Sequence, residues 1–330
     1  MRSAGTSSAR VSRSPTRLCD GGCTATSKRG PLPPLTDRQD ALERHRYRAE
    51  PGGEILPGVT SVVEVATDKG GMVYAAAELA AQALIAKPQR RKLWIAEERE
   101  YLLATKGGPK AWRQGKWDLG RSGSDDEVLI HWARRRHADE WRAKRELGER
   151  VHEIAAEWAA GRSADVGPDE EGYIDALEKF WRVYMPETDR AEFVIVNPFQ
   201  FYGGRPDWYG TICFDPIDNV RTHVLLDFKT GKVRRWELAL QCAAYLHGYP
   251  VTFAPDGSVI PITRSMERLA ADEAMGVYLH GDGTYEVVDP FQFIPLKSAF
   301  DQFCNALDLY IARRDHEQAE KAPREDPDDS

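Results

Sequence analysis

Cysteine is scarce: five in 330 residues, an odd number. That argues against a framework of disulfides and points to a reducing, cytoplasmic setting. Long apolar runs are missing as well. A membrane helix needs about 20 consecutive apolar residues, and the best candidate, Ala75 to Ala86, is interrupted by Glu78 and Gln82. The first residues carry arginines but no apolar stretch, so no secretory leader is expected. No Gly-x-x-x-x-Gly-Lys-Ser/Thr occurs, so no ATP-driven motor of that type is encoded, and no nucleotide cofactor is expected. There is no internal repeat. What remains is a chain with 42% hydrophobic and 29% charged residues, long enough for a sizeable core and one to three domains.

The formal net charge of -7 suggests no polyanionic partner, but its distribution says otherwise. Met1 to Thr36 holds six bases and one acid; Asp315 to Ser330 holds seven acids and two bases. Between Lys87 and Arg145 there are sixteen bases against nine acids. A phosphate feels local charge, so this basic middle segment is a candidate nucleic-acid surface. Its densest clusters are Arg90-Arg91-Lys92 and Arg134-Arg135-Arg136, interleaved with Trp94, Trp112, Trp117, Trp132 and Trp141. The arginines are the candidates for phosphate contacts. Most of the tryptophans suit a packed core better than a base-stacking channel.

Residues 1–40, rich in Ser, Thr, Arg, Gly and Pro, predict a disordered basic arm, and 315–330 a disordered acidic tail. Cys19 and Cys23 stand alone in the arm, too few for zinc. Between arm and tail, 41–314 is expected to form one domain. Residues 41–66 suggest a short strand pair turning at Pro51-Gly52-Gly53. Residues 72–145 are expected to be largely helical, with a break at Pro88 and a Gly-rich, Trp-bearing loop over 106–124. Further helices are predicted from about Asp126 to Ala160, stopped by Gly161, and from Glu170 to Tyr184. Strands follow at 192–196, 207–214 and 223–229, then a helix at 234–248, a hairpin around Gly281-Asp282-Gly283 and a closing helix at 294–313. The fold class is α/β, with a helical N-terminal portion.

The chemistry concentrates in His223-Val224-Leu225-Leu226-Asp227-Phe228-Lys229-Thr230-Gly231. On a strand, residues i and i+2 share a face, so Asp227 and Lys229 project together while Phe228 points the other way. Upstream, Gly204-Arg205-Pro206-Asp207 opens the preceding strand. If the two strands pair, Asp207 reaches the face of Asp227. Two carboxylates beside a lysine suit Mg²⁺ or Mn²⁺, which polarise a phosphodiester and acidify a water. Taken alone, Asp-x-Lys is more simply an ion pair at a strand end. Gln241 and Tyr245 lie four apart on one helix face, and His152 lies in Gly148-Glu149-Arg150-Val151-His152. Singly, each is more simply structural.

In order, the set reads Gly-x-x-x-His, Gly-x-x-Asp, Asp-x-Lys-Thr-Gly, Gln-x-x-x-Tyr. It resembles the RecB-type branch of the PD-(D/E)xK nucleases over about residues 146–250. The resemblance implies a restriction-endonuclease-like core, a central mixed sheet flanked by helices. It implies His152, Asp207 and Asp227 as ligands of Mg²⁺ or Mn²⁺, two ions in all, with the backbone carbonyl of Phe228 completing the shell. Lys229 is then the catalytic lysine. Gln241 and Tyr245 touch DNA or support the site, and Glu192 is a supporting acid. Several relatives carry a four-cysteine iron–sulfur cluster. Here only Cys304 follows the helix motif, so no such cluster is expected. The segment Leu56-Pro57-Gly58-Val59-Thr60-Ser61-Val62-Val63 resembles phage members of the group. The expected activity is a DNA exonuclease in phage-type recombination or end processing, partnered by DNA, a single-strand annealing protein or further copies of itself. The alternatives are an endonuclease on the same fold, a noncatalytic DNA-binding module, or an enzyme acting on RNA.

Overall fold

The structure is a computed structural model that describes residues 11–13, 37–67, 88–104, 124–215, 220–262, 267–269, 271 and 273–321. Most of the expected N-terminal arm, the part of the expected helical segment over 72–87, the loop over 106–123 and the end of the acidic tail lie outside these residues. The chain divides into two compact units, one comprising 1–67 with 148–330 and the other 68–147.

The larger unit is mixed α/β. Its five-stranded sheet has the order β10-β9-β7-β6-β3. The strands are β3 (Glu187–Ala191), β6 (Trp208–Asp215), β7 (Val220–Lys229), β9 (Glu273–Leu279) and β10 (Tyr285–Val288). All neighbours run antiparallel except β7 and β9, which are parallel. A parallel pair needs a crossover, and helix α6 (Arg235–Leu246) lies within it. A second, three-stranded sheet pairs β5 (Tyr202–Gly204), β4 (Ile195–Asn197) and β8 (Tyr249–Pro250), and β1 (Val11–Arg13) pairs with β2 (Ala164–Val166).

Helices cover both faces of the main sheet. Helix α5 (Glu171–Tyr184) packs on β6, β9 and β10, where Phe180 and Trp181 meet Phe228. On the other face α6 packs on β7 and β9, backed by α2 (Val59–Ala66) and α7 (Leu296–Lys321). The core between them contains Val62, Tyr202, Leu225, Leu238, Tyr278 and Phe303. No helix among the described residues is long and apolar enough to cross a membrane.

Three expectations are corrected. Residues 59–66 are helix, not strand: Val59, Val62 and Val63 are buried on one side of α2, and only a single bridge, Tyr47 to Leu56, remains of the expected strand pair. The β-branched valines carry a helix-propensity penalty below about 1 kcal/mol each, less than their burial returns. The expected strand at 192–196 is split. Strand β3 ends at Ala191, Glu192 adopts a left-handed φ of +48°, and β4 begins at Ile195 in the other sheet. The acidic run from Asp315 begins inside α7, which carries on to Lys321.

In the smaller unit the described elements are a 3-10 turn (Pro88–Arg90), α3 (Arg91–Ala104) and the first part of α4 (Asp125–Ala159). Trp94 and Trp132 stack at 4.5 Å, with Ile95, Val128 and Leu129 around them. Fully buried Glu98 meets His131 at 2.7 Å and accepts from Arg135 at 2.7–3.0 Å.

Candidate metal and catalytic site

The residues singled out by the motif set lie in the larger unit, and four elements deliver them, α6 carrying Gln241 and Tyr245. Helix α4 brings His152, since Gly148 one turn earlier lets the helix approach Thr230; a Cβ there would sit 3.1 Å from Thr230 Oγ1. The head of β6 brings Asp207, and the end of β7 brings Asp227 and Lys229. Trp208 pairs with Leu226, so the antiparallel register carries Asp207 to the level of Asp227.

Asp207 is held from two sides. Its Oδ2 accepts the Phe228 backbone N–H at 2.7 Å, and its Oδ1 lies 3.2 Å from His152 Nδ1. Burial alone raises this carboxyl, but the His152 imidazole, the Lys229 ammonium and the Phe228 N–H together hold it below its ordinary range. The same partnership raises His152: burial works against its charge, and the Asp207 carboxylate outweighs burial.

Asp227 is fully buried and faces α6. Its Oδ2 meets the Lys229 ammonium in an ion pair, and no other donor among the described residues reaches that oxygen. Its Oδ1 accepts from the Gln241 amide at 3.1 Å, and that amide also donates to the Tyr245 hydroxyl at 2.9 Å. Burial pushes Asp227 up despite the lysine beside it. The lysine stays charged, because its carboxylate neighbours outweigh its own burial. Gln241 and Tyr245 therefore buttress Asp227 from the helix. Phe228 turns its ring to α5 and offers its N–H to Asp207.

Glu192 comes closer to the centre than its expected supporting role implies. One ligand atom each from His152, Glu192 and Asp207 lie within 4.8 Å of one another. Asp227 is not part of this group, being tied to Lys229 and Gln241. The left-handed turn at Glu192 moves the chain from one sheet to the other, and the Glu192 N–H donates to the Asp207 carbonyl at 2.9 Å. Burial, and then the Asp207 charge, push the Glu192 carboxyl up to about 7. Arg205, which the motif contains but which does not stand out in the sequence, pairs with Glu192 at 2.9 Å and donates to the Leu42 carbonyl at 2.7 Å. A kink that throws one acid toward another leaves no periodic signal in a sequence.

A carboxylate pair with one imidazole fits a hard or borderline divalent cation such as Mg²⁺ or Mn²⁺. Within that group the raised Glu192 carboxyl is the electrostatic counterpart of the fit, because a cation would displace its proton. In the smaller unit Arg135 is committed to Glu98 and Asp139, while Arg134 and Arg136 are exposed. Trp94 and Trp132 are buried and Trp141 is exposed; Trp112 and Trp117 lie outside the described residues. Comparison with protein-family models and with curated proteins found no match.

Proposed function

We propose that this chain is a metal-dependent deoxyribonuclease of the RecB-type PD-(D/E)xK kind, an exonuclease that hydrolyses phosphodiester bonds in DNA end processing. In this reading the five-stranded sheet with α5 and α6 is a restriction-endonuclease-like core. The observation that carries it is the junction of β6 and β7. There one strand pair presents Asp207, Asp227 and Lys229 together, with His152 hydrogen-bonded to Asp207. An isolated Asp-x-Lys ion pair would require none of these additional partners.

His152, Glu192 and Asp207 are the groups that would hold a divalent cation, with Asp227 beside them. When bound, the cation supplies Lewis-acid polarisation of the phosphodiester and acidifies a water. Lys229 orients that water and offsets negative charge growing on the phosphate oxygens. Asp227 keeps Lys229 charged and in place, and Gln241 keeps Asp227 in place.

The test is purified protein with end-labelled linear duplex and covalently closed circular duplex in Mg²⁺, Mn²⁺ or EDTA, beside Lys229→Ala. Loss of the linear DNA alone, dependent on metal and on Lys229, is the expected result. Cutting of the circle would make it an endonuclease. Cleavage that survives Lys229→Ala would overturn the mechanism, and binding without any cleavage would leave a DNA-binding module.

A further inference from the structure

A cavity of about 730 Å³ opens between the segment that leads into α2 and the last turns of α7. It lies in the range of small-molecule sites, roughly 300–1,000 Å³. Two aromatic rings, Tyr47 and Tyr310, contribute to its wall. Leu56 and Pro57 add apolar surface, and Thr60 and Ser61 add hydroxyls. Arg314 supplies a cation one helical turn from Tyr310, on the same face of α7.

This wall is stitched to the strand that delivers Asp207. Gly203 donates to the Pro57 carbonyl at 2.9 Å, and Gly58 forms a bridge to Gly203. A Cβ on Gly203 would fall 2.3 Å from that of Tyr47, and one on Gly204 would fall 3.0 Å from Val59. Arg205, next in the chain, reaches across to Leu42. The residues that line the cavity are therefore fastened to Gly203 and Gly204, three or four residues before Asp207.

We propose that this cavity is the subsite for the terminal nucleotide of a nucleic-acid strand whose adjoining phosphate lies at Asp207. The assignment rests on the nuclease reading. Its chemistry matches the parts of a nucleotide. Tyr310, half-buried, offers a ring to a base, which stacks without regard to sequence, and buried Tyr47 backs the wall. Arg314 offers charge-assisted hydrogen bonds to a phosphate. The existing partners of Arg314 are Glu54 at 3.5 Å and Asp315 at 3.4 Å, both on largely exposed side chains. Such pairs are weak and give way to a phosphate.

The experiment is fluorescence anisotropy with a dye-labelled, 5′-phosphorylated oligothymidylate in EDTA, where nothing turns over. Arg314→Ala is expected to weaken binding about tenfold and to lower the salt slope by about one unit, the mark of one phosphate contact. Tyr310→Ala is expected to weaken it about tenfold, while Tyr310→Phe keeps the ring and binds as the parent does. An oligonucleotide ending in 5-iodouracil should crosslink to Tyr310 on irradiation. Because Tyr310 also packs against the core, the crosslink on the unaltered protein decides if Tyr310→Ala does not fold. Folded variants that bind like the parent, or a crosslink mapped elsewhere, overturn the proposal. Lys229-dependent cleavage with normal binding by the cavity variants would sink the subsite alone. A crosslink in the cavity without any cleavage would sink the nuclease reading alone.

Discussion

The carboxylate of Asp207, at the head of β6, is fastened by the backbone N–H of Phe228, on the neighbouring strand, at 2.7 Å. A main-chain donor cannot rotate away, so the carboxylate holds its orientation relative to Lys229, the next residue along. Together with the His152 contact, this leaves Asp207 little freedom of its own.

Metal should stabilise the folded protein. A ligand that binds only the native state at a hundred times its Kd adds about 2.7 kcal/mol. Thermal unfolding in MnCl₂ against EDTA should show a clear upward shift for the parent. The shift should vanish in Asp207→Asn and shrink in Glu192→Gln. An equal shift in all three would mean that the cation binds elsewhere.

Close backbone approach makes Gly203 irreplaceable. Gly203→Ala would set a methyl against Tyr47 and should cost about 1–3 kcal/mol in denaturant unfolding. Gly231→Ala, where nothing lies within 4 Å of the new methyl, should stay within about 0.5 kcal/mol of the parent.

Stability should fall in mild acid through His247. Its ring lies against Phe300 at 3.7 Å, with Nδ1 2.8 Å from the Ala243 carbonyl. Burial lowers its pKa from 6.5; the Ala243 carbonyl pulls upward without cancelling this, and the Arg268 charge adds to the lowering. The unfolded chain therefore binds a proton that the native state resists. This stability is fully present above pH 6.5 and is lost as the pH drops below it through the folded pKa. Melting temperatures from pH 8 to pH 5 should decline less steeply in His247→Gln than in the parent.

The ion network of the smaller unit should fail when one partner is removed. Arg135→Ala leaves Glu98 buried beside His131 with its main counter-ion gone, at a cost of about 3–5 kcal/mol. The stacked pair Trp94–Trp132 gives a local readout in near-ultraviolet circular dichroism. An unchanged Trp signal through the parent's transition would count against it.

The alternation along β7 was legible, because a two-residue period fixes which face each side chain takes. Leu225, Asp227 and Lys229 face α6, whereas Phe228 faces α5. Helices α4 and α5 were legible from their stops, at Gly161 with φ +72° and at Met185 before Pro186. Helix α2 was not, since Val59, Val62 and Val63 look strand-like until the surface that buries them is known. The three-residue strands β4 and β5 were too short to show a period. Glu192 was placed only as a supporting acid, because its position depends on a backbone reversal and on Asp207, which is remote in sequence.

The parallel partner of the Asp227 strand, β9, begins at Glu273, beyond every motif residue. A growing polypeptide that has emerged through Tyr245 therefore exposes the Asp227–Lys229 segment as an unpaired edge, and the Phe303 contacts of the core are also missing. Such a chain would be silent and prone to aggregation. Any excised fragment must include β9 and α7, although neither carries a recognisable signature. The order of synthesis thus makes the centre one of the last parts of the molecule to become whole.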